Sequence, residues 1–220
     1  MKNLFIFGTG EFAQIAYEYF TFDSDYDVVG FSVNKEYIKT PSFCNLPVVP
    51  YEEIKSKFPP SDYLAFTGIP ASDMNRTRTY FYQNLKQMGY AFATYVSSRS
   101  FVWRNSRIGE NSFIFEMNTV QPFVTIGNNC ILWSGNHIGH RTTISDNSFI
   151  TSHAVISGDC SIGSGVFVGV NATINDNIHV ANNCLIAAGC HIVKATEPDR
   201  IYAGSPARMV PGKTSFEAGI

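Results

Sequence analysis

The sequence predicts a small α/β domain followed by a parallel β-helix, and three observations predict it. One aliphatic residue returns every six positions from Val102 to Ile192 without interruption. A second column, four residues after each aliphatic, is filled mostly by small side chains. Ahead of both, an apolar strand runs into a glycine-rich turn and an amphipathic helix, the opening of a parallel α/β sheet.

The aliphatic column reads Val102, Ile108, Ile114, Val120, Ile126, Leu132, Ile138, Ile144, Ile150, Ile156, Ile162, Val168, Ile174, Val180, Ile186 and Ile192. A helix repeats at 3.6 and an ordinary strand at 2, so neither period explains a spacing of six. Six is the period of a β-helix in which each hexad is one short strand and a turn. Three hexads make a triangular coil, with one branched aliphatic per side filling the interior. Next to each corner only a small side chain fits, as at Ser112, Cys130, Thr142, Ala154, Cys160, Ala172, Cys184 and Cys190. One residue earlier, Asn105, Asn111, Asn129, Gly135, Asn147, Gly165, Asn171, Asn177, Asn183 and Gly189 mark corners that need positive φ. Stacked at the inter-strand spacing of ~4.8 Å, about five coils give a prism roughly 25 Å tall.

The first hundred residues alternate strand and helix. Strands are predicted over residues 3–7, 27–32, 46–49, 63–67 and 91–95, with Pro47 relegating the third to a sheet edge. Helices follow the glycine turn, with Phe12, Ile15, Ala16 and Phe20 as the apolar face, and over residues 51–57 and 72–88. This makes residues 1–98 a small Rossmann-like parallel sheet with helices, and residues 99–220 the β-helix with an irregular tail from Met209. The turn Gly8-Thr9-Gly10-Glu11-Phe12-Ala13 fits G-x-G-x-x-G/A, a shape that admits a phosphate or sugar at the helix N-terminus. A full dinucleotide site is disfavoured. Ser32 stands where an acidic residue would hold the ribose, and the domain is too short for two mononucleotide halves. A nucleotide-sugar site or a bare scaffold remain open.

Composition narrows the function classes. A formal charge of −2 provides no basic footprint for nucleic acid and no polybasic membrane arm. No apolar run approaches the ~20 residues of a membrane span, and the N-terminus lacks a signal-peptide pattern. The expected location is cytoplasmic, without membrane insertion. Four of the five cysteines fall in the small-residue column and Cys44 in a loop, and no CxxC pair suggests a metal or redox site.

With these motifs in place, the chain resembles the hexapeptide-repeat sugar acetyltransferases, specifically the sialic acid O-acetyltransferase and bacillosamine-pathway N-acetyltransferase group. The resemblance implies a left-handed β-helix, a homotrimer, and acetyl-CoA as co-substrate bound along the coils at subunit junctions. It implies N-acetylation of a nucleotide-linked amino sugar in surface polysaccharide precursor synthesis. O-acetylation and a non-catalytic trimeric nucleotide-sugar scaffold stand as alternatives.

Carried over by position, the resemblance makes His140 in Ile138-Gly139-His140 the general base, with His137 as a second candidate or groove-lining partner. His153 is a possible contact, while His179 and His191 read as surface residues. Cofactor contacts fall on Phe149, Gly158, Val170 and Ala188, with the Gly158 N–H as oxyanion donor. Val193-Lys194-Ala195 matches the family's V-x-K loosely and Gly204-Ser205-Pro206-Ala207 its G-x-P-A fully, which places Lys194 and Arg208 near the CoA phosphates. Substrate contacts fall on Thr9, Gly10, Glu11, Ser32 and Gly68. One departure stands out: the N-acetyltransferases follow the base with a carboxylate, and Arg141 follows His140 here. A neighbouring cation works against an imidazole taking up a proton. Either another acceptor, such as Asp146 or a backbone carbonyl, orients the ring, or the enzyme works on a different nucleophile.

Overall fold

A computed structural model describes residues 2–220, which divide into two compact units. One comprises the chain up to Pro70 together with Arg78–Tyr95; the other comprises Ala71–Thr77 and Val96–Ile220.

The first unit is a five-stranded sheet in the order β3-β4-β2-β1-β5, formed by β1 (Lys2–Phe7), β2 (Tyr26–Val33), β3 (Ser42–Phe43), β4 (Leu46–Pro50) and β5 (Leu64–Thr67). All neighbours pair in parallel except β3, which is antiparallel to β4. Helix α1 (Glu11–Phe22) buries Phe12, Ala13, Ala16 and Phe20. Phe5 and Phe7 pack with Phe58, Leu85 and Tyr90 in a largely aromatic core, where the Phe5 and Phe58 rings stack at 5.2 Å. Burial of this kind, at ~25 cal/mol per Å² of apolar surface, is what holds so small a sheet together.

Three local expectations are corrected. Pro47 does not sit on the edge, because the two-residue β3 covers that side of β4 and pairs Ser42 with Pro47. Residues 91–95 form no full strand. A single bridge joins Ala65 to Phe92, and Tyr95–Val96 is the only strand there. The helix expected from Ser72 starts at Arg76, as α3 (Arg76–Gln87), because Asp73, Met74 and Asn75 all take positive φ. Between Tyr51 and Lys57 a 3-10 turn precedes the short α2 (Ile54–Lys57).

The second unit is the prism. Sixteen two-residue strands form three faces, each residue pairing in parallel with the one a coil of eighteen residues away, as Thr119 does with His137. The first face carries Phe101–Val102, Thr119–Val120, His137–Ile138, Val155–Ile156, Thr173–Ile174 and His191–Ile192. The second runs from Arg107–Ile108 to His179–Val180, and the third from Phe113–Ile114 to Leu185–Ile186. The aliphatic column fills the interior, fully buried except at the first rungs, Val102 and Ile108. The small-residue column does more than fit: its hydroxyls and thiols reach carbonyls of the next coil. Thr142 Oγ1 donates to Ser157 O (2.9 Å), Ser148 Oγ to Gly163 O (3.1 Å) and Cys160 Sγ to Asn175 O (3.1 Å). Buried polar groups are thereby satisfied, which a merely small side chain would not accomplish.

Every corner from residue 111 to 189 has a residue with positive φ at the expected sixth position. Between the second and third faces these are Asn or Gly, and Asn111, Asn129 and Asn147 form a ladder with amide-to-amide bonds of 2.7 and 2.8 Å. On the two corners bordering the first face, Met117, Phe123, Arg141, His153 and Asp159 are left-handed as well. Asn105, on the first turn, is not. The tail is not irregular. Arg208–Thr214 pairs antiparallel with Arg200–Ala203, and a 3-10 turn at Ser215–Glu217 follows, closed by a capping box between Thr214 and Glu217. Hydrogen bonds from Thr214 hold the Glu217 carboxyl below its usual range. Segment Ala71–Thr77 joins this unit by Asn75 Nδ2 donating to Gly165 O (3.2 Å) and Met74 N to Ile220 O (3.4 Å).

Candidate functional site

The eighteen-residue coil sorts the candidates into vertical columns. His140, Gly158, Asp176 and Lys194 stack on the corner that follows the first face; Ser134, Ser152, Val170 and Ala188 stack on the corner that precedes it. His137, half-buried on the first face between Thr119 and Val155, lies between these columns. Six-residue spacing thus brings His137, His140, Gly158, Val170, Ala188 and Lys194 to one side of the prism. Phe149 is not among them. It is buried on the third face, stacked on Phe167 at 5.6 Å, with its N–H donating to Val166 O.

The His140 corner is built closely. Ile138 points inward, so two residues later the chain faces out. Gly139 makes the turn against the next coil, where a Cβ would meet Gly158 N and Ser157 C at 2.5 Å. The His140 N–H donates to Gln121 Oε1 (2.9 Å), and Nδ1 is 3.4 Å from the same oxygen. The ring lies over Gly158, where a Cβ would come within 2.4 Å of Cε1, so only glycine leaves it room. On the far side, Nε2 is 3.4 Å from Asp159 Oδ2, with both side chains roughly half-exposed.

The expected orienting group is corrected. Asp146 stands on the corner between the second and third faces, accepting from Asn128 N at 2.7 Å. The carboxylate beside the imidazole is Asp159, which sits one coil above Arg141. Arg141 itself turns back over the Phe123 ring, 5.4 Å from its centroid, a cation–π contact that draws the charge off the histidine. The signal was present as a spacing of eighteen from Arg141, legible once the coil length is applied to polar residues as well as to aliphatics.

The Gly158 amide, the expected oxyanion donor, has a partner within the chain. Its N–H donates to Asp176 Oδ1 (2.9 Å), one instance of a repeated corner cap. Asn128 N to Asp146 Oδ1 and Ser164 N to Asn182 Oδ1 (2.9 Å) are others. A ligand carbonyl can take that amide only by replacing the aspartate. The remaining histidines behave as surface groups do: His179 Nδ1 meets Ser161 Oγ and His191 Nε2 meets Asn175 Oδ1, both at 2.8 Å. His153 lies exposed over Gly135.

At the end of the prism, Lys194 and Arg208 line one cavity of about 440 Å³ together with Tyr202 and Glu197. The Tyr202 hydroxyl accepts the Glu197 N–H (2.8 Å), fixing the segment between the two cations.

In the first unit, the glycine turn opens on two adjoining cavities of about 470 and 280 Å³, the larger within the lower range of small-molecule sites. Thr9, Gly10 and Tyr37 line both, and Gly68 and Asn34 line the smaller. Gly8 takes φ +122°, and a Cβ there would press on Gly68 O at 2.9 Å. Glu11 is exposed at the start of α1 and lines neither cavity. Ser32 is fully buried behind the turn, and its carbonyl accepts the Gly8 N–H (2.7 Å). Ser32 therefore supports the turn, and the residues at the end of β2 that reach the cavity are Val33 and Asn34, the latter with a buried Oδ1 that has no hydrogen-bond partner. Asn34 and Tyr37 were missed. The rule that open α/β sheets bind at the carboxyl ends of strands points to both.

Among known proteins, the model of the bacterial transferase hexapeptide (six repeats) matches residues 105–140. No curated protein sequence matches the chain. Among solved structures, the chain is similar to the acetyltransferase domain of PglB from Neisseria gonorrhoeae, at 18% identity and a TM-score of 0.85 over 96% of this chain and 100% of that one. A variant of perosamine N-acetyltransferase from Caulobacter crescentus, in complex with CoA and GDP-perosamine, aligns at 16% identity and a TM-score of 0.84 over 96% and 97%. WeeI from Acinetobacter baumannii aligns at 15% identity and a TM-score of 0.61 over 96% and 100%. The chain has the fold of these proteins throughout its length, a small α/β unit followed by a left-handed β-helix of hexapeptide repeats.

Proposed function

We propose that this chain is an acetyl-CoA-dependent acetyltransferase that N-acetylates an amino sugar carried on a nucleotide, with His140 as general base. The observation that carries the reading is the His140 corner: an imidazole over a glycine, backed by a carboxylate and standing in the column that ends in Lys194. Support comes from the C. crescentus enzyme, which shares the fold over nearly the whole chain and holds both CoA and GDP-perosamine.

In this reading the sugar amine attacks the thioester carbonyl while His140 takes its proton. The new C–N bond forms, the C–S bond breaks, and the proton passes from the imidazolium to the departing CoA thiolate. The tetrahedral oxyanion needs a donor, and the Gly158 amide serves once the acyl group displaces Asp176. CoA runs along Val170 and Ala188, with Lys194 and Arg208 at its phosphates. The nucleotide occupies the cavities beside Thr9, Gly10 and Gly68. A prism without an inserted loop has no cleft, so the groove requires a neighbouring prism, and the working form is a homotrimer. Residues 1–98 serve as the substrate domain and 99–220 as the catalytic one. The setting is the cytoplasm, where acetyl-CoA is made.

The test mixes the protein with acetyl-CoA and a panel of nucleotide-linked amino and hydroxy sugars, following CoA release with a thiol dye and the product by mass spectrometry. Acetyl transfer to an amine supports the reading. Transfer to a hydroxyl alone, or no transfer to any sugar, overturns it. A folded His140→Ala protein with full activity removes His140 as base.

A further inference from the structure

We propose that Asp159 is the positioning residue for His140, supplying from the following coil the carboxylate that a residue directly after the base would otherwise supply. The inference rests on the acetyltransferase reading for its role in catalysis, but its geometry stands apart from that reading.

Positions 141 and 159 are equivalent places on successive coils, eighteen residues apart, and they share one backbone conformation, with φ of +57° and +56°. Aspartate accepts that left-handed conformation far better than arginine does. The two rungs are tied directly: the Asp159 N–H donates to the His140 carbonyl at 2.8 Å. That bond holds the carboxylate at the height of the imidazole, 3.4 Å from Nε2. This is ion-pair range, of the kind that tightens into a hydrogen bond when substrate closes the site. Gly158 completes the arrangement, since any side chain there would strike the ring lying between Asp159 and Gln121. Arg141, the cation next in sequence to the base, is held over the Phe123 ring.

The carboxylate decides which nitrogen works. Both ring nitrogens face an acceptor, Nε2 the Asp159 carboxylate and Nδ1 the Gln121 amide oxygen; the charged carboxylate is the stronger, so it keeps the proton on Nε2 and leaves on Nδ1 a lone pair that can work only once Gln121 Oε1 moves off it. The incoming amine displaces the glutamine oxygen from Nδ1. As its N–H bond breaks toward Nδ1, the ring becomes a doubly protonated imidazolium, and Asp159 stabilises that charge until the thiolate takes the proton. An orienting carboxylate beside a catalytic histidine is worth up to 10⁴ in rate when buried. Here the pair is half-exposed and screened, so the expected loss is roughly ten- to a hundredfold.

The experiment uses the full chain with Asp159→Asn, which keeps the shape and removes the charge, and with Arg141→Asp/Asp159→Asn, which moves the carboxylate back one coil. Asp159→Asn should lower kcat by roughly ten- to a hundredfold and leave KM for acetyl-CoA within about twofold, and the double variant should regain most of kcat. Independently of any substrate, ring ¹⁵N spectra of the free protein should show the His140 proton on Nε2 in the wild type and spread over both nitrogens in Asp159→Asn. Wild-type kcat in Asp159→Asn, a loss the relocated carboxylate fails to restore, or an unchanged ring spectrum would overturn the proposal. If no sugar is acetylated at all, the functional reading fails while the ring spectrum still decides this one.

Discussion

Replacing Ile156 by Ala tests the prism where it is most constrained. Ile156 is fully buried in the aliphatic column between Ile138 and Ile174. The coils on either side are tied by Gly139 N to Ile156 O (2.7 Å) and Ser157 N to Ile174 O (3.0 Å), so the walls cannot close on a void. The substitution removes three carbons, about 2.4 kcal/mol of transfer free energy at ~0.8 kcal/mol each. A cavity that stays open adds about 1.5 kcal/mol more, for a total near 4 kcal/mol. Val102→Ala is the control: the first rung is half-buried, fewer carbons are lost, and the cost should be about 1 kcal/mol. Both tryptophans, Trp103 and Trp133, lie in the prism, so fluorescence during urea unfolding reports this unit alone. Protomer concentration must be held constant, since an oligomer ties stability to it. A cost for Ile156→Ala below about 1 kcal/mol, or equal to that of Val102→Ala, would refute the closed, non-collapsing column.

Two further outcomes follow from particular residues. Met117 is highly exposed yet left-handed at φ +59°, so Met117→Asn should raise stability by about 0.5–1 kcal/mol in the same unfolding assay, because asparagine tolerates that conformation and no packing is lost. Burial pushes the Tyr90 phenol up to about 12, and its hydroxyl donates to Phe58 O at 2.7 Å. A raised folded-state value stabilises the first unit below the unfolded value of 10, and that contribution disappears as pH climbs toward 12. Tyr90→Phe should flatten the alkaline loss, read from the helical circular dichroism of that unit, while costing about 1 kcal/mol at neutral pH because the Phe58 carbonyl loses its donor.

The prism was almost wholly legible because one physical demand, a branched aliphatic per side, recurs at every turn. The corners were half legible. Asn and Gly announce a left-handed residue, whereas Met117, Phe123 and Arg141 have no preference for it and take it because the coil imposes it. In the first unit, Ser32 had the right strand and the wrong depth. Pattern gives the strand end but not which of Ser32, Val33 or Asn34 turns toward the cavity; Ser32 is buried behind the turn, and Val33 and Asn34 line the cavity. The non-strand at residues 91–95 shows the same limit: Ala91, Phe92 and Ala93 have strand composition, but only one bridge to Ala65 forms. The outward placement of His140 was legible from its position two residues after Ile138. The carboxylate beside its ring was not, because Asp146 was named from nearness in sequence and Asp159 stands nearer in space.

Among the prism corners from residue 111 to 189, the left-handed residues other than Asn and Gly lie on the two corners that border the first face, while the third corner holds Asn and Gly from residue 111 to 183. A side chain ill-suited to that conformation costs about 1 kcal/mol at each such place. Five of them are solvent-exposed, so burial within the protomer does not offset the strain. Arg141 and Phe123 recover part of it in their cation–π contact and Asp159 in its pairing with His140, and strain kept where a better-suited residue would serve marks positions held for another purpose. Here the positions are the two borders of the face that carries His137, with His140 beside one of them. The third corner, where the amide ladder runs, shows what this sequence selects when only stability is at stake. The contrast between corners built on the same eighteen-residue coil is thus a reading of the site that does not depend on histidine at all.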